Sequence, residues 1–473
     1  MDKPRIYTID EAVNLGLDET LELNREYVNE SLIDLIAGYG LPRRFVKAEG
    51  IRLWDENGNE YLDFLCSYGA LSLGHNNPRI IAAVERARAL PNFFVISPGA
   101  VTGALAASLA AISPGDLQRS FFCNSGSEAI EGAVKLARVA TGRTRIIAAR
   151  EGFHGKSMGA LSVTGHEAMK KPFRPLLPDV EHVPFADADA IETALRTAPT
   201  AAVVLEPIQG PAGIIVPPDG YLTDVRGLCT RHGALLILDE IQTGLGRTGR
   251  MFGCDHEGIV PDVLCVSKGL SGGIYPIGAY ITTDRVWRKA YGSKKTATLH
   301  SSTFGGNTLA CAAALEAIGV TVEDDLPARA ADVGDYFHRG LLSLADKFPL
   351  LREVRGRGLM IGLDFEQTTH RLTRDLLNQT AAMVAVQMLH RHRIVSIYTF
   401  TNASVIRLAP PLTVETADLD TYLEALQDTL TRNRRFPQLA ATTMRAVRSH
   451  RRTRAKGRWS RKGTVPERQP GVP

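Results

Sequence analysis

The chain has little of what metal centres, redox proteins and membrane proteins are built from. Its 473 residues include six cysteines: Cys66, Cys123, Cys229, Cys254, Cys265 and Cys311. They are scattered and none forms a C-x-x-C pair, which argues against a metal site or a redox dithiol. Buried thiols in a reducing compartment are the simpler expectation. No run of about 18 apolar residues occurs, so no membrane-spanning helix is expected. The N-terminal stretch MDKPRIYTIDEAVNLGLDET lacks the basic-then-apolar pattern of a secretory signal. A cytoplasmic protein with no bound metal is the resulting expectation. There is no internal repeat.

Acidic residues are nearly missing from the C-terminus. From Arg432 to Pro473 there are 13 Lys and Arg against Glu467 alone. The chain before them holds 42 basic and 50 acidic residues and is mildly acidic. Residues 436–473 are also poor in apolar side chains and are predicted to be a basic, disordered tail. Such a tail can attract an acidic surface or nucleic acid. However, Arg445 to Lys462 carry one aromatic, Trp459, and no nucleic-acid-binding motif. A solvated appendage is the simpler expectation, with neither nucleic acid nor membrane as partner.

What is present looks like an ordinary globular enzyme. Apolar residues make up 44% and charged residues 22%. The length suits two or three domains or one large subunit. Helix-like patterns occur at Glu26–Ala37, Pro78–Arg88 and Gly99–Ala111. Glu56-Asn57-Gly58-Asn59 separates two short strand-like runs, a hairpin signal. The loop Cys66–His75 carries glycines that suit either a plain turn or a close backbone approach. Seven apolar runs then alternate with helical periodicity: Ser120–Cys123, Arg145–Ala149, Val180–Val183, Ala202–Glu206, Leu235–Asp239, Val263–Val266 and Gly278–Ile281. That alternation predicts an α/β fold with one large, mostly parallel seven-stranded sheet. After a helix at Thr308–Val322 comes a smaller α+β region. It has helices at Arg329–Leu344, Thr380–Arg391 and Val414–Thr431. Its strands are Leu351–Val354, Leu359–Phe365, Ile394–Tyr398 and Val405–Leu408. The domain division this suggests is 1–85 as an N-terminal segment joining the small domain, 86–325 as the large domain, 326–435 as the small domain, then the tail.

Chemistry-bearing residues cluster at predicted strand ends, where α/β sheets place their sites. The run Leu235–Leu238 ends on Asp239, with Gln242 three residues on. The run Val263–Val266 ends on Ser267-Lys268-Gly269. A lysine there must be paired or modified, and a desolvated lysine loses proton affinity, as a Schiff-base amine requires. A buried Asp239–Lys268 salt bridge is the rival explanation. Ser125-Gly126-Ser127 opens a helix directly after a strand. Its free amides, hydroxyls and positive dipole end suit a phosphate, although serine also serves as a simple helix cap. In Gly152-Phe153-His154-Gly155, an aromatic between glycines can lie flat on a ring. Glu206 follows three apolar residues and needs a partner, because an unpaired buried charge is costly. His300-Ser301-Ser302-Thr303-Phe304-Gly305-Gly306 makes a second possible anion-binding turn. Arg407, alone in an apolar strand ending at Pro410-Pro411, is suited to a carboxylate.

Together the stretches NSGSEA, FHG, LEPIQG, LILDEIQTGLGRTG, PDVLCVSKGL, PIGA, TFGGN, LACAAAL and IRLAPPLT resemble the class III aminotransferases of the fold type I superfamily. Those enzymes use pyridoxal 5′-phosphate (PLP). The resemblance spans roughly residues 20–430. SFFCNSGSEAIE, FHGKSMGALS and KPFRPLLPDVEHVPF look most like the putrescine (diamine) aminotransferases, with ornithine and acetylornithine aminotransferases next. The resemblance implies that Lys268 holds PLP covalently and then moves the proton. It also implies that Asp239 faces the ring nitrogen and Gln242 the ring hydroxyl. Phe153 would stack on the ring beside His154, and Ser125, Gly126 and Ser127 would form the phosphate cup. Thr303 would reach the phosphate from a second subunit, which implies a homodimer with shared sites, or a tetramer built from such dimers. Arg407 would bind the substrate carboxylate, Glu206 would gate it, and Tyr68 would line the substrate pocket. Ser127 departs from the commoner threonine but keeps the hydroxyl.

The implied reaction is ping-pong transfer of a terminal amine, such as that of putrescine, to 2-oxoglutarate or pyruvate. The alternatives are an ornithine- or acetylornithine-type enzyme, one acting on a larger or carrier-bound substrate, and a PLP aminomutase or epimerase.

Overall fold

The computed structural model describes residues 5–92, 97–365, 379–399, 401–435 and 437–447. The seven apolar runs form one seven-stranded sheet. Its strands are β1 (Leu117–Cys123), β2 (Arg145–Ala149), β3 (Val180–Val183), β4 (Thr200–Leu205), β5 (Leu235–Asp239), β6 (Val263–Val266) and β7 (Gly278–Thr283). They lie in the order β1-β7-β6-β5-β4-β2-β3. From β3 to β6 every neighbouring pair is parallel. Only β7 runs against the rest, antiparallel to both β6 and β1. The central strands read as unbroken apolar runs because helices cover both faces. Ile146 and Ala148 of β2 face one core, with Ile130 and Ala133 of helix α1 (Gly126–Thr141). Ile147 and Ala149 face the other, with Ala310 and Ile318 of helix α2 (Thr308–Glu323).

Two four-stranded sheets make up the rest. One joins Leu351–Arg357, Met360–Phe365, Val405–Leu408 and Ile397–Tyr398, all antiparallel. The other joins Phe45–Glu49, Arg52–Asp55 and Glu60–Asp63 to Ile394–Val395. The predicted hairpin is present. Asp55 accepts from the Asn57 and Asn59 amides, and Gly58 takes φ +75. Ile51, Leu62 and Phe64 share a core with Leu363, Leu408 and Tyr422, so the N-terminal strands pack on C-terminal ones.

Four expectations change. The single strand Ile394–Tyr398 divides at Ser396 between the two small sheets, because the chain crosses from one to the other there. The helix at Glu26–Ala37 begins as a wider turn, Arg25–Asn29, and Asn29 caps a new helix, Glu30–Gly38. The loop after Phe64 is not a plain turn. Cys66, Ser67, Tyr68 and Gly69 all take positive φ, between 45° and 83°, one turn of left-handed helix. Side chains there cost roughly 1–2 kcal/mol per residue. The basic tail is not disordered throughout. Residues 437–447 are helical, and Leu439 is fully buried in the core that also holds Tyr422 and Leu430. One apolar side chain with a slot to fill outweighs the local charge density. The strongly basic residues 448–473 lie outside the described residues.

Among the described residues, all six cysteines are buried and unpaired, and no helix is long and apolar enough to cross a membrane.

Candidate active site

The carboxyl ends of β1, β2, β4, β5 and β6 converge on one edge of the large sheet. Asp239 closes β5 and is 4% exposed. Its Oδ2 lies 2.8 Å from His154 Nδ1, and its Oδ1 accepts from the Ile241 amide at 3.1 Å. Burial alone would lower the His154 imidazole. The Asp239 hydrogen bond and charge outweigh burial and hold it above its ordinary value. His154 Nε2 is buried without a partner. The His154 amide donates to Thr164 Oγ1 at 3.0 Å, which fixes the loop.

Lys268 follows β6 by two residues, and Ser267 anchors that exit by donating to Ile277 O at 2.7 Å. Lys268 sits at φ +28, a costly conformation for a side-chain-bearing residue. Burial first, then the Arg407 guanidinium, lower its amine to about 8, against the opposing pull of Asp239 and Glu206. No Asp239–Lys268 ion pair forms. Asp239 binds His154 instead, so the salt-bridge explanation for these two residues fails.

The turn before α1 leaves helix amides open, as an anion site needs. Ser125 caps the helix, accepting from the Glu128 amide at 3.2 Å. That leaves the first two helix amides, Gly126 and Ser127, without intrahelical acceptors. Ser127 Oγ is fixed by the Lys156 and Ser157 amides at 3.1 and 3.2 Å. Glycine is required twice here. A Cβ on Gly126 would lie 2.6 Å from Ile241 Cδ1, and one on Gly155 would lie 2.1 Å from Ser127 Oγ. Phe153 is half-buried in the loop that follows β2.

Glu206 lies just past β4 and is 5% exposed. It accepts from the Phe153 amide at 2.8 Å and the Gly210 amide at 3.1 Å. Burial pushes its carboxyl up to about 7. His154 opposes that rise, and the Asp239 charge adds to it.

Arg407 sits in Val405–Leu408 opposite Gly362 and is 4% exposed. Its Nη1 donates to Gln242 Oε1 at 3.3 Å, its guanidinium lies 4.5 Å from the Tyr68 ring centroid, and its Nε is buried without a partner. Burial lowers it to about 10. Gly210 leaves the room for Gln242, since a Cβ there would lie 2.2 Å from Gln242 Oε1. The left-handed turn at Cys66–Gly69 thus carries Tyr68 to Arg407.

The fold therefore gathers Asp239, His154, Phe153, Glu206, Gln242, Lys268, Arg407 and Tyr68 around one edge, with Ser125, Gly126 and Ser127 beside them. Glu206 and Arg407 do not form an ion pair with each other; each has other partners. Thr303 stands apart, exposed on the turn before α2. Its neighbour Ser302 is tied to the cup, donating to Glu128 at 3.0 Å and accepting from Asn124 at 2.9 Å. Sequence reasoning passed over two buried residues. Glu240 accepts from the Thr243 hydroxyl and from the Gly253 and Cys254 amides, and so braces the loop after β5. Arg247, 2% exposed, bonds only to backbone carbonyls. A glycine-flanked arginine in a loop gives no sign of burial.

The arrangement suits PLP. A cradle of glycines and free helix amides is open to a phosphate, a buried carboxylate is held in place for a ring nitrogen, and a lysine amine has lost part of its proton affinity. The orphaned His154 Nε2 and Gln242 Nε2 leave polar atoms to be satisfied. Comparisons with known proteins agree. The family described as "Aminotransferase class-III" matches residues 38–430. The ornithine aminotransferase of Toxoplasma gondii is 32% identical, with a TM-score of 0.79, over 93% of this chain and all of that one. An amine transaminase from an uncultivated Pseudomonas species, solved with PLP bound, is 30% identical, with a TM-score of 0.74, over 83% and 95%. An (S)-enantioselective omega-transaminase from Thermomicrobium roseum is 27% identical, with a TM-score of 0.79, over 87% and 98%.

Proposed function

The chain belongs to the class III aminotransferases, PLP-dependent enzymes that exchange an amine for the oxo group of an oxo acid, and from that premise we propose that its donor is a terminal (ω) amine, of the ornithine or diamine kind, and its acceptor 2-oxoglutarate. One observation carries this reading. Arg407 is buried within reach of the site and only partly bonded, while the carboxylate nearest in role, Glu206, is held by two backbone amides. In this arrangement Arg407 is free to take the carboxylate of an oxo acid. When a carboxylate-free amine enters, a rotation of Glu206 toward Arg407 relieves the unpaired guanidinium, which otherwise costs several kcal/mol. The Toxoplasma ornithine aminotransferase and the omega-transaminases among the similar structures support a terminal-amine donor.

PLP, when bound, supplies a carbonyl for the amine and a ring that accepts electrons. The chain supplies the rest. Lys268 would hold the cofactor through its Nζ, and the same Nζ, once free, would take the proton from the amine-bearing carbon and pass it to the cofactor carbon. Its lowered proton affinity keeps a share of that amine neutral near neutral pH. Asp239, kept in place by His154 and the Ile241 amide, would hold the proton of the ring nitrogen. Gln242 would serve the ring hydroxyl, Phe153 would cover one ring face, and Ser125, Gly126 and Ser127 would bind the phosphate. Tyr68 bounds the substrate side of the pocket. We assign Thr303 to the phosphate of a partner subunit in a homodimer, a reading supported by its exposure beside the cup-linked Ser302.

The test is spectroscopic. Purified enzyme should show a PLP band near the visible edge that is absent in Lys268→Ala. A panel of putrescine, ornithine, acetylornithine and simple amines should bleach it, and 2-oxoglutarate should restore it with glutamate formed. Bleaching by α-amino acids alone would refute the terminal-amine reading.

A further inference from the structure

Arg247 is a buried guanidinium with no carboxylate. It leaves the loop after β5, and its Nη1 donates to Leu359 O at 3.2 Å and to Pro410 O at 2.5 Å. Its Nη2 is buried with no partner. The Arg247 carbonyl in turn accepts from the Leu359 amide at 3.0 Å. Burying such a charge against carbonyls alone is expensive, and a buried group left partly unsatisfied needs an explanation.

Its partners supply one. Leu359 immediately precedes the strand Met360–Phe365, and Pro410 follows Val405–Leu408 by two residues. These are the two paired strands whose register sets Gly362 opposite Arg407. A single nitrogen of Arg247 thus ties their adjoining ends together and to the large sheet. The left-handed turn that carries Tyr68 is seated in the same place. A Cβ on Gly69 would lie 3.4 Å from Ala409 Cβ and 3.8 Å from Arg247 Nε. The Ala409 amide donates to Phe64 O at 2.9 Å, and the Leu412 amide to Ser72 O at 2.8 Å, so the turn is tied to the chain leaving the Arg407 strand. Arg247 therefore lies against three segments around Arg407: the chain just past its own strand, the chain just before the neighbouring strand, and the turn whose tyrosine covers it.

We propose that Arg247 is a positioning residue for the reaction: by holding Leu359 and Pro410, it sets where the Arg407 guanidinium and the Tyr68 ring stand, and so governs recognition of the carboxylate-bearing reactant. The proposal rests on the reading of Arg407 as the carboxylate binder. It predicts a split between the two half-reactions. The oxo acid needs Arg407 in place. A carboxylate-free amine brings no carboxylate for Arg407 to bind, so the exact placement of Arg407 matters less in that half-reaction.

The test uses holoenzyme and the variants Arg247→Met, Arg247→Lys and Arg407→Met. Glutarate, a dicarboxylate without an oxo group, is titrated by calorimetry, and both half-reactions are followed by absorbance. Arg247→Met should weaken glutarate binding and raise the KM for 2-oxoglutarate about tenfold, since small misplacements have large effects. The bleaching rate with the best carboxylate-free amine should stay within about twofold of wild type. Arg247→Lys keeps the charge but not the fork, and should lose about threefold. It carries the test if the methionine variant does not fold. Wild-type glutarate affinity in the folded Arg247 variants, with Arg407→Met impaired, overturns the positioning role alone. So does an equal loss in both half-reactions. If Arg407→Met binds glutarate like wild type, the carboxylate reading of Arg407 falls and this proposal with it.

Discussion

Glu206 gives the sharpest physical prediction. Its carboxyl is buried, accepts only from the Phe153 and Gly210 amides, and is pushed from an ordinary 4.5 up to about 7. Below pH 4.5 both folded and unfolded chains hold the proton, and the group contributes nothing to the pH dependence. Between there and about 7 the unfolded chain releases its proton while the folded one keeps it, so stability falls as pH rises. Above that window the full penalty applies, on the order of 3 kcal/mol for a shift of this size. Glu206→Gln removes the titration. Its single amide oxygen serves two N–H groups less well, at a pH-independent cost of about 1–3 kcal/mol. The variant should therefore gain on wild type by about 3 kcal/mol between pH 4.5 and pH 8. Urea unfolding of cofactor-free protein at several pH values reads that gain directly. A stability gap independent of pH, or one that moves in favour of wild type as pH rises, refutes the reasoning. The same proton would govern the proposed switch, because neutral Glu206 cannot neutralise Arg407. Preference for carboxylate-free amines should thus rise as pH passes through about 7 and be flat in Glu206→Gln.

Four further outcomes follow from the packing. His154→Ala leaves Asp239 buried without its imidazole, at a cost of about 3–5 kcal/mol in stability for a broken buried pair. Because the folded His154 binds its proton more tightly than the free side chain, that deficit should be largest below its ordinary pKa and shrink at alkaline pH, as read by Tm. Gly126→Ala drives a methyl to 2.6 Å from Ile241 Cδ1 and should weaken PLP binding in a fluorescence titration, with Ile241→Ala restoring it. Leu439→Ala should cost about 2–5 kcal/mol as a cavity in the core, whereas truncation after residue 447 should leave Tm and transamination unchanged.

The outline of the fold was legible because its signals are local. Each of the seven strands is a short apolar run between glycine-rich or polar breaks, and each appears within a few residues of its expected bounds. The same holds for the positions of Asp239, Lys268 and Glu206, since an ionisable residue directly after a buried run must sit at a strand end. Misreadings arose where a distant contact decides. Leu439 reads as one apolar residue in a basic tail until its slot in the core that holds Tyr422 is known. Ser396 looks like an ordinary strand position until two different sheets claim its neighbours. The left-handed turn at Cys66–Gly69 has only one glycine, so its conformation follows from the ring it delivers to Arg407 and from the seat between Ala409 and Arg247.

The partners of charged groups were the least legible. Asp239 and Lys268 invited pairing with each other, yet Asp239 is satisfied by His154 and an amide, and Glu206 by two amides. In each case at least one partner is a backbone amide, which sequence does not mark. Arg247 is the extreme case, since its only acceptors are carbonyls of Leu359 and Pro410. The consequence for substrate choice is specific. If these backbone groups, rather than opposing side chains, hold the charged residues, then Arg407 and Glu206 are free to exchange partners as substrates alternate. A fixed Glu206–Arg407 ion pair would have favoured the carboxylate-free amine and penalised every oxo acid. The arrangement found favours neither, which suits one pocket that must accept both an amine and an oxo acid.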